Sequence, residues 1–174
     1  MSTDKIHRFE KAGLGRAPFR FVDVEYRVGP ITYPNGMTVG APGQPMGACD
    51  FCGQGIAECC IIQDADGKRF VVGNQCVYKT GDQGLTNTVK RVVDQAKAKR
   101  RAERERKRIA EAKEALPEVA DALKAEPHPM AWLAEKGMTL LDYVEWNFKK
   151  AGHTGQLKVT RMIEKALKAK EEAR

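Results

Sequence analysis

No stretch of this chain approaches the roughly 20 consecutive apolar residues that cross a bilayer. The start, MSTDKIHRFEKAGLG, lacks the apolar core of a signal peptide. A soluble, cytoplasmic protein that makes no membrane contact is therefore expected. Histidine is scarce: His7, His128 and His153 are the only three, all far in sequence from the cysteines. There is no phosphate-cradling loop of the Walker type, no nucleophile set beside a base in a supporting motif and no carboxylate pair in a catalytic frame. These lacks argue against an enzyme. At 174 residues a hydrophobic core can stand without cross-links, so length alone does not call for cysteine.

What the chain does have is a crowd of thiols. Four of its five cysteines lie in CDFCGQGIAECC, residues 49–60, and the fifth, Cys76, follows in VVGNQC. In a reducing compartment disulfides are rare and an odd count cannot pair completely, so the cluster reads as metal ligands or redox groups. A thioredoxin-like pair should open a helix in a βαβ setting, whereas Cys49-x2-Cys52 opens a hairpin. Two intervening residues let both sulfurs converge on one ion, and Gly53 eases the turn that aims backbone N–H groups at them; this is the spacing of a zinc knuckle. The compact arrangement favours zinc over an iron–sulfur cluster. With no histidine or acid–base residue close by in sequence, the expected ion is structural.

The expected fold is α+β in three segments: a β-rich zinc-binding domain over 1–84, a long basic helix over 85–116 and a helical C-terminal region over 117–174. One strand falls within APFRFVDVEYRV, YPNGM is a turn and GAPGQPMG is loop. IAECCIIQ, DADGK and RFVVG spell a hairpin around an Asp-Gly turn, which returns Cys76 toward Cys49 and Cys52. A helix should open at Thr86 or Asn87 and run to Leu116, where Pro117 stops it. Val89, Val92, Val93 and Ala96 form its packed face; from there to Ile109 only Ala98 and Ala102 are apolar, so that stretch should project into solvent. Beyond lie a short helix in PEVADALKAE, closed by PHP, and a second helix in LLDYVEWNFKKAG. Thr139 and Asp142 form the second helix's capping box and Gly152 its terminator. Thr154 opens a last helix with an apolar stripe at Leu157, Val159, Met162, Ile163, Ala166 and Leu167. Trp132, Tyr143, Trp146 and Phe148 are assigned to a small C-terminal core.

CDFCGQGI, the Asp-Gly hairpin and FVVGNQCV resemble the treble-clef-like zinc modules of small, mostly uncharacterised phage and prophage proteins; FEKAGLGRAPFRF and KTGDQGL are similar to the flanks of that group. The resemblance covers the first half of the chain and implies a zinc-stapled fold and a host-cytoplasmic phage setting more than an activity. In that group a second thiol often lies two residues before the last, where this chain has Asn74. The fourth ligand must come from elsewhere. Cys59 and Cys60 are neighbours on a strand and point to opposite faces, so only one can look at the ion. The preference falls on Cys60, whose face is shared with Ile56 and Ile62; the other thiol then serves as a small hydrophobe. The expected site is Cys49, Cys52, Cys60 and Cys76 around structural Zn2+.

Charge adds a second theme. Across residues 97–108, Lys97, Lys99, Arg100, Arg101, Arg104, Arg106, Lys107 and Arg108 face only Glu103 and Glu105. Such a helix can meet successive phosphates of DNA or RNA. It can equally be a solvated face, with Glu103–Lys107 and Glu105–Arg108 pairs and a weak seam at Ala102, Ile109 and Leu116. Beside a zinc scaffold, the reading adopted is a non-enzymatic nucleic-acid-binding or nucleic-acid-associated regulatory protein of phage type. The alternative is an interaction module whose cationic arm enters an acidic surface of a host machine such as a polymerase, nuclease or defence complex. AGHTGQ, at the start of the last helix, reads as an ordinary turn rather than an anion site.

Overall fold

A computed structural model describes residues 6–172; positions 1–5 and 173–174, the outer ends of the first and last expected segments, lie outside the described residues. The fold is α+β, as expected, and divides into two compact units, Met1–Ala98 and Lys99–Arg174.

The first unit opens with a single helical turn, α1 (Arg8–Lys11). Strand β1 (Arg20–Tyr26) follows, then a two-residue pair, β2 (Ile31–Thr32) and β3 (Thr38–Val39), closed by the YPNGM turn with Gly36 at φ 82°. A second small pair is β4 (Gly47–Ala48) with β5 (Gly55–Ile56). Strands β6 (Glu58–Gln63) and β7 (Arg69–Gly73) make the expected hairpin, and β1 joins them in an antiparallel sheet ordered β1-β6-β7. Val24 and Val72 flank Cys60 across the sheet, while Ile62 lies between Phe21 and Phe70.

The DADGK turn works through Asp64. Its buried carboxylate accepts the N–H groups of Asp66 (3.0 Å) and Lys68 (2.8 Å), and that of Arg16 from a distant loop (3.4 Å). Gly67 supplies the positive φ of the turn, 88°. Beneath the sheet Phe9, Phe19 and Phe70 pack edge to face, with ring centres 5.3–5.8 Å apart. Leu85, Val89 and Val93 from the start of the long helix complete this core.

After β7 the chain forms a short helix, α2 (Asn74–Tyr78), and then α3 (Gln83–Ala125). Two expectations about the long helix are corrected. It begins at Gln83, ahead of Thr86 and Asn87, because the Asp82 carboxylate accepts the N–H of Leu85 at 2.9 Å and caps the first turn. It also runs through Pro117 instead of stopping at Leu116, so PEVADALKAE is no separate helix and the 116/117 boundary falls inside α3. Packing overrides the proline: Ala112 on one side of it, and Val119 and Leu123 on the other, are buried against Leu140, Val144, Val159 and Ile163. Burial of several such side chains, about 1.5–3 kcal/mol each, exceeds the roughly 3 kcal/mol that an interior proline costs.

Those partners lie on α5 (Leu140–Lys150) and α6 (His153–Glu172); a one-turn helix, α4 (Ala131–Ala134), precedes them. The expected capping box is present: the N–H of Thr139 donates to Asp142 Oδ2 at 2.7 Å, and that of Asp142 to Thr139 Oγ1 at 3.4 Å. Gly152 does not adopt a positive φ; α5 ends at Lys150 and α6 starts at His153, one residue before Thr154. Of the four aromatics assigned to the core, Tyr143 and Phe148 pack there. Trp132 and Trp146 do not: they are 56% and 57% exposed. Among the described residues no helix is long and apolar enough to cross a membrane.

Candidate metal centre and basic helix

The β4–β5 pair carries the knuckle. The N–H of Cys49 donates to the Gln54 carbonyl at 2.9 Å and that of Gly53 to the Cys49 carbonyl at 2.8 Å, while Gly53 takes φ 74°. A side chain inside the knuckle docks it onto the hairpin: Asp50 Oδ2 accepts the N–H of Val71 at 2.6 Å, and the N–H of Asp50 donates to the Val71 carbonyl at 2.8 Å. Strand β7 then leads into α2, whose third residue is Cys76. This short helix has no counterpart in the sequence expectations. It turns the Cys76 sulfur back to the knuckle.

The three sulfurs of Cys49, Cys52 and Cys76 lie within 4.8 Å of one another. Cys49 Sγ is 3.8 Å from Cys76 Sγ, which is 3.5 Å from Cys52 Sγ. Four sulfurs bonded to one zinc ion at about 2.3 Å stand about 3.8 Å apart at the edges of their tetrahedron. The triad thus has the dimensions of one face of such a tetrahedron, and it can hold a metal ion.

Its electrostatics are uneven. Cys52 is exposed, and its thiol is pulled below the usual range, first by the backbone N–H of Gln54 and then by the other two thiols. Cys76 is pushed up to about 12, chiefly by burial. Cys49, also buried, accepts the N–H of Gly73 at 3.5 Å. Three thiolates so close together need a cation to hold them ionised, and donated N–H groups lower the cost of the charge.

The fourth expected ligand is not with them. Cys60 is fully buried on the core face of β6 with Ile62 and Val72, and burial raises its thiol to about 12. Cys59 points the other way, packed behind β4, where a Cβ added to Gly47 would collide with its sulfur. Both behave as small apolar side chains. Alternation separates the two thiols correctly, but both faces of β6 are occupied by packing.

The basic segment of α3 is more engaged than a bare solvent arm. In the first unit Lys97 pairs with Glu58 at 3.1 Å. In the second, Arg101 Nε donates to Glu105 at 2.9 Å, and the other oxygen of Glu105 meets His153 Nε2 at 2.9 Å. These partners lower the Glu105 pKa, His153 first. Arg108 makes a two-pronged contact with Glu164 of α6 (3.0 and 2.7 Å), and Lys107 lies 3.7 Å from Glu111. The expected Glu103–Lys107 and Glu105–Arg108 pairs give way to these. Arg100 is half-buried, and Lys99, Arg104 and Arg106 are exposed.

No protein-family model, curated protein or solved structure matches the chain.

Proposed function

We propose that this is a non-enzymatic nucleic-acid-binding protein, of the phage type its cysteine motif resembles, with a structural zinc ion in its first unit. Zinc is favoured by the all-sulfur donor set and by the S···S separations of 3.8 and 3.5 Å. When bound, the ion supplies charge that holds the three thiolates together and ties knuckle, hairpin and α2 into one body. Cys49, Cys52 and Cys76 would hold it.

The observation that carries the nucleic-acid reading is the density of cations on one helical segment. Lys99, Arg104 and Arg106 are exposed and form no ion pair among the described residues, and the paired cations Arg101, Lys107 and Arg108 stand beside them. Surface pairs of this kind exchange readily for phosphate. If only the three exposed cations engage B-DNA, log K falls with log salt at a slope of about −3; if about six engage, the slope is about −5.

The test is a gel-shift titration of zinc-replete protein on random duplex and on single-stranded RNA across a salt series. Binding with such a slope, abolished in a K99Q/R104Q/R106Q variant, supports the reading. Absence of binding to either nucleic acid at low salt overturns it and returns the basic segment to the alternative, an acidic surface on a host protein.

A further inference from the structure

The geometry points to a base-binding pocket in the second unit, where His128, Asp142, Tyr143 and Trp146 take one unpaired nucleobase of a single strand. This deepens the nucleic-acid reading and rests on it for the source of the base.

The pocket is a cavity of about 250 Å³ lined by His128, Met130, Leu133, Met138, Asp142, Tyr143 and Trp146. Its walls are mostly apolar, and its rim carries unusual side chains for a protein surface: Met130, Met138 and Trp146 are all substantially exposed. An isolated exposed tryptophan needs no explanation, but one set beside two methionines around a cavity is surface left open for a ligand.

Two polar groups make the cavity selective. His128 is 6% exposed, and its Nδ1 accepts the N–H of Met130 at 3.1 Å. That bond places the ring proton of the neutral imidazole on Nε2. Nε2 has no hydrogen-bond partner among the described residues and remains a donor on a side chain that lines the cavity. Asp142 uses Oδ2 for the capping box with Thr139, which leaves Oδ1 as an acceptor. The pocket therefore offers one donor and one acceptor between aromatic and thioether walls.

A leucine or phenylalanine side chain from a protein partner would fill the walls but leave both polar groups unanswered. A nucleobase answers both. Each of the common bases carries, on its Watson–Crick edge, an acceptor next to an N–H donor, together with a flat face for Trp146. A cation for a flanking phosphate is at hand: Lys158 Nζ is 5.5 Å from the Tyr143 ring centre.

The full-length, zinc-replete chain tests this directly. Trp132 and Trp146 are its two tryptophans, so a Trp132→Phe variant leaves Trp146 as the sole reporter. It is titrated with a single-stranded 12-mer, the same strand bearing abasic sites, the matching duplex and free adenosine. The expected result is quenching of Trp146 by the intact strand, with abasic substitution weakening binding about tenfold. Read by gel shift of the labelled strand, Trp146→Leu, an exposed substitution that does not threaten folding, and His128→Asn should weaken the single strand by a similar factor while duplex binding holds. Equal affinity for intact and abasic strands with unchanged emission overturns the pocket, even if salt-dependent duplex binding persists. If no nucleic acid binds at all, adenosine decides: quenching at millimolar concentration keeps the pocket, and silence rejects it. A response to phenylalanine amide without one to adenosine also rejects it, in favour of a protein ligand.

Discussion

Alanine at Cys52 and alanine at Cys60 separate the metal from the packing, because the two thiols occupy opposite environments. Cys52 is exposed, so removing its sulfur deletes almost no buried surface. On the proposed metal site, whatever stability is lost there is the metal's. Cys60 is fully buried among Ile62, Phe70 and Val72 and lies outside the triad. Truncating it leaves a small cavity costing about 1–2 kcal/mol, with the metal retained. With free zinc a hundredfold above its dissociation constant, the ion adds about 2.7 kcal/mol to the folded state. In a domain of about 100 residues each kcal/mol is worth about 4–8 °C, so chelation should lower the wild-type midpoint by about 10–20 °C. The assay is a thermal melt of each variant with zinc and with chelator, alongside elemental analysis. Cys52→Ala should melt where the chelated wild type melts and respond little to chelator. Cys60→Ala should carry one zinc and shift both curves downward together by about 5–15 °C. A Cys52→Ala protein that keeps one equivalent of zinc, or a Cys60→Ala protein that loses it, would refute the assignment of Cys49, Cys52 and Cys76.

Asp64→Ala removes the common acceptor of the Arg16, Asp66 and Lys68 N–H groups and should destabilise the first unit by about 2–4 kcal/mol, measured by urea denaturation. Gly155→Ala sets helix propensity, a gain of about 1 kcal/mol, against overlap: the new Cβ would lie 2.6 Å from Ala151 Cβ and 2.9 Å from Asn147 Oδ1. Overlap should win, with a net loss of about 1–2 kcal/mol in the second unit; a higher melting temperature would contradict the close approach of α6 to α5. Asp142 is held below the ordinary carboxylate value by the Thr139 N–H and hydroxyl. Because its folded value is the depressed one, the cap's contribution is full at neutral pH and disappears as pH falls through that value. The protection factors of amides at the start of α5, with the intrinsic exchange rate divided out, should therefore fall as pH drops through that value, and Asp142→Asn should remove most of that change.

Much of the first unit was legible because its signals are local. The Asp-Gly turn between two β-branched runs specified β6 and β7, and the Cys49-x2-Cys52-Gly53 spacing specified the knuckle. The five-residue α2 offers no periodicity to read, although it aims Cys76, and nothing in the spacing points to Asp50 as the group that docks the knuckle on β7. Strand alternation told Cys59 from Cys60 but not what each face meets. Cys60 stands outside the triad, on the face it shares with Ile62 and Val72. Pro117 was read by its intrinsic cost, and the burial of Val119 and Leu123, which depends on helices far along the chain, outweighed it. Trp132 and Trp146 were read by their spacing along the tail helices, which does not say which side of a helix the fold leaves open.

Pro117 leaves a lasting mark on α3. Without an amide hydrogen it donates nothing to the Lys113 carbonyl, so the helix lacks one rung at that turn. Both residues are exposed, and water can fill the vacancy at little cost. The long helix thus carries a fixed weak point on its wet side, and local opening that starts there leaves the buried stripe of Ala112, Val119 and Leu123 the last part of that turn to let go.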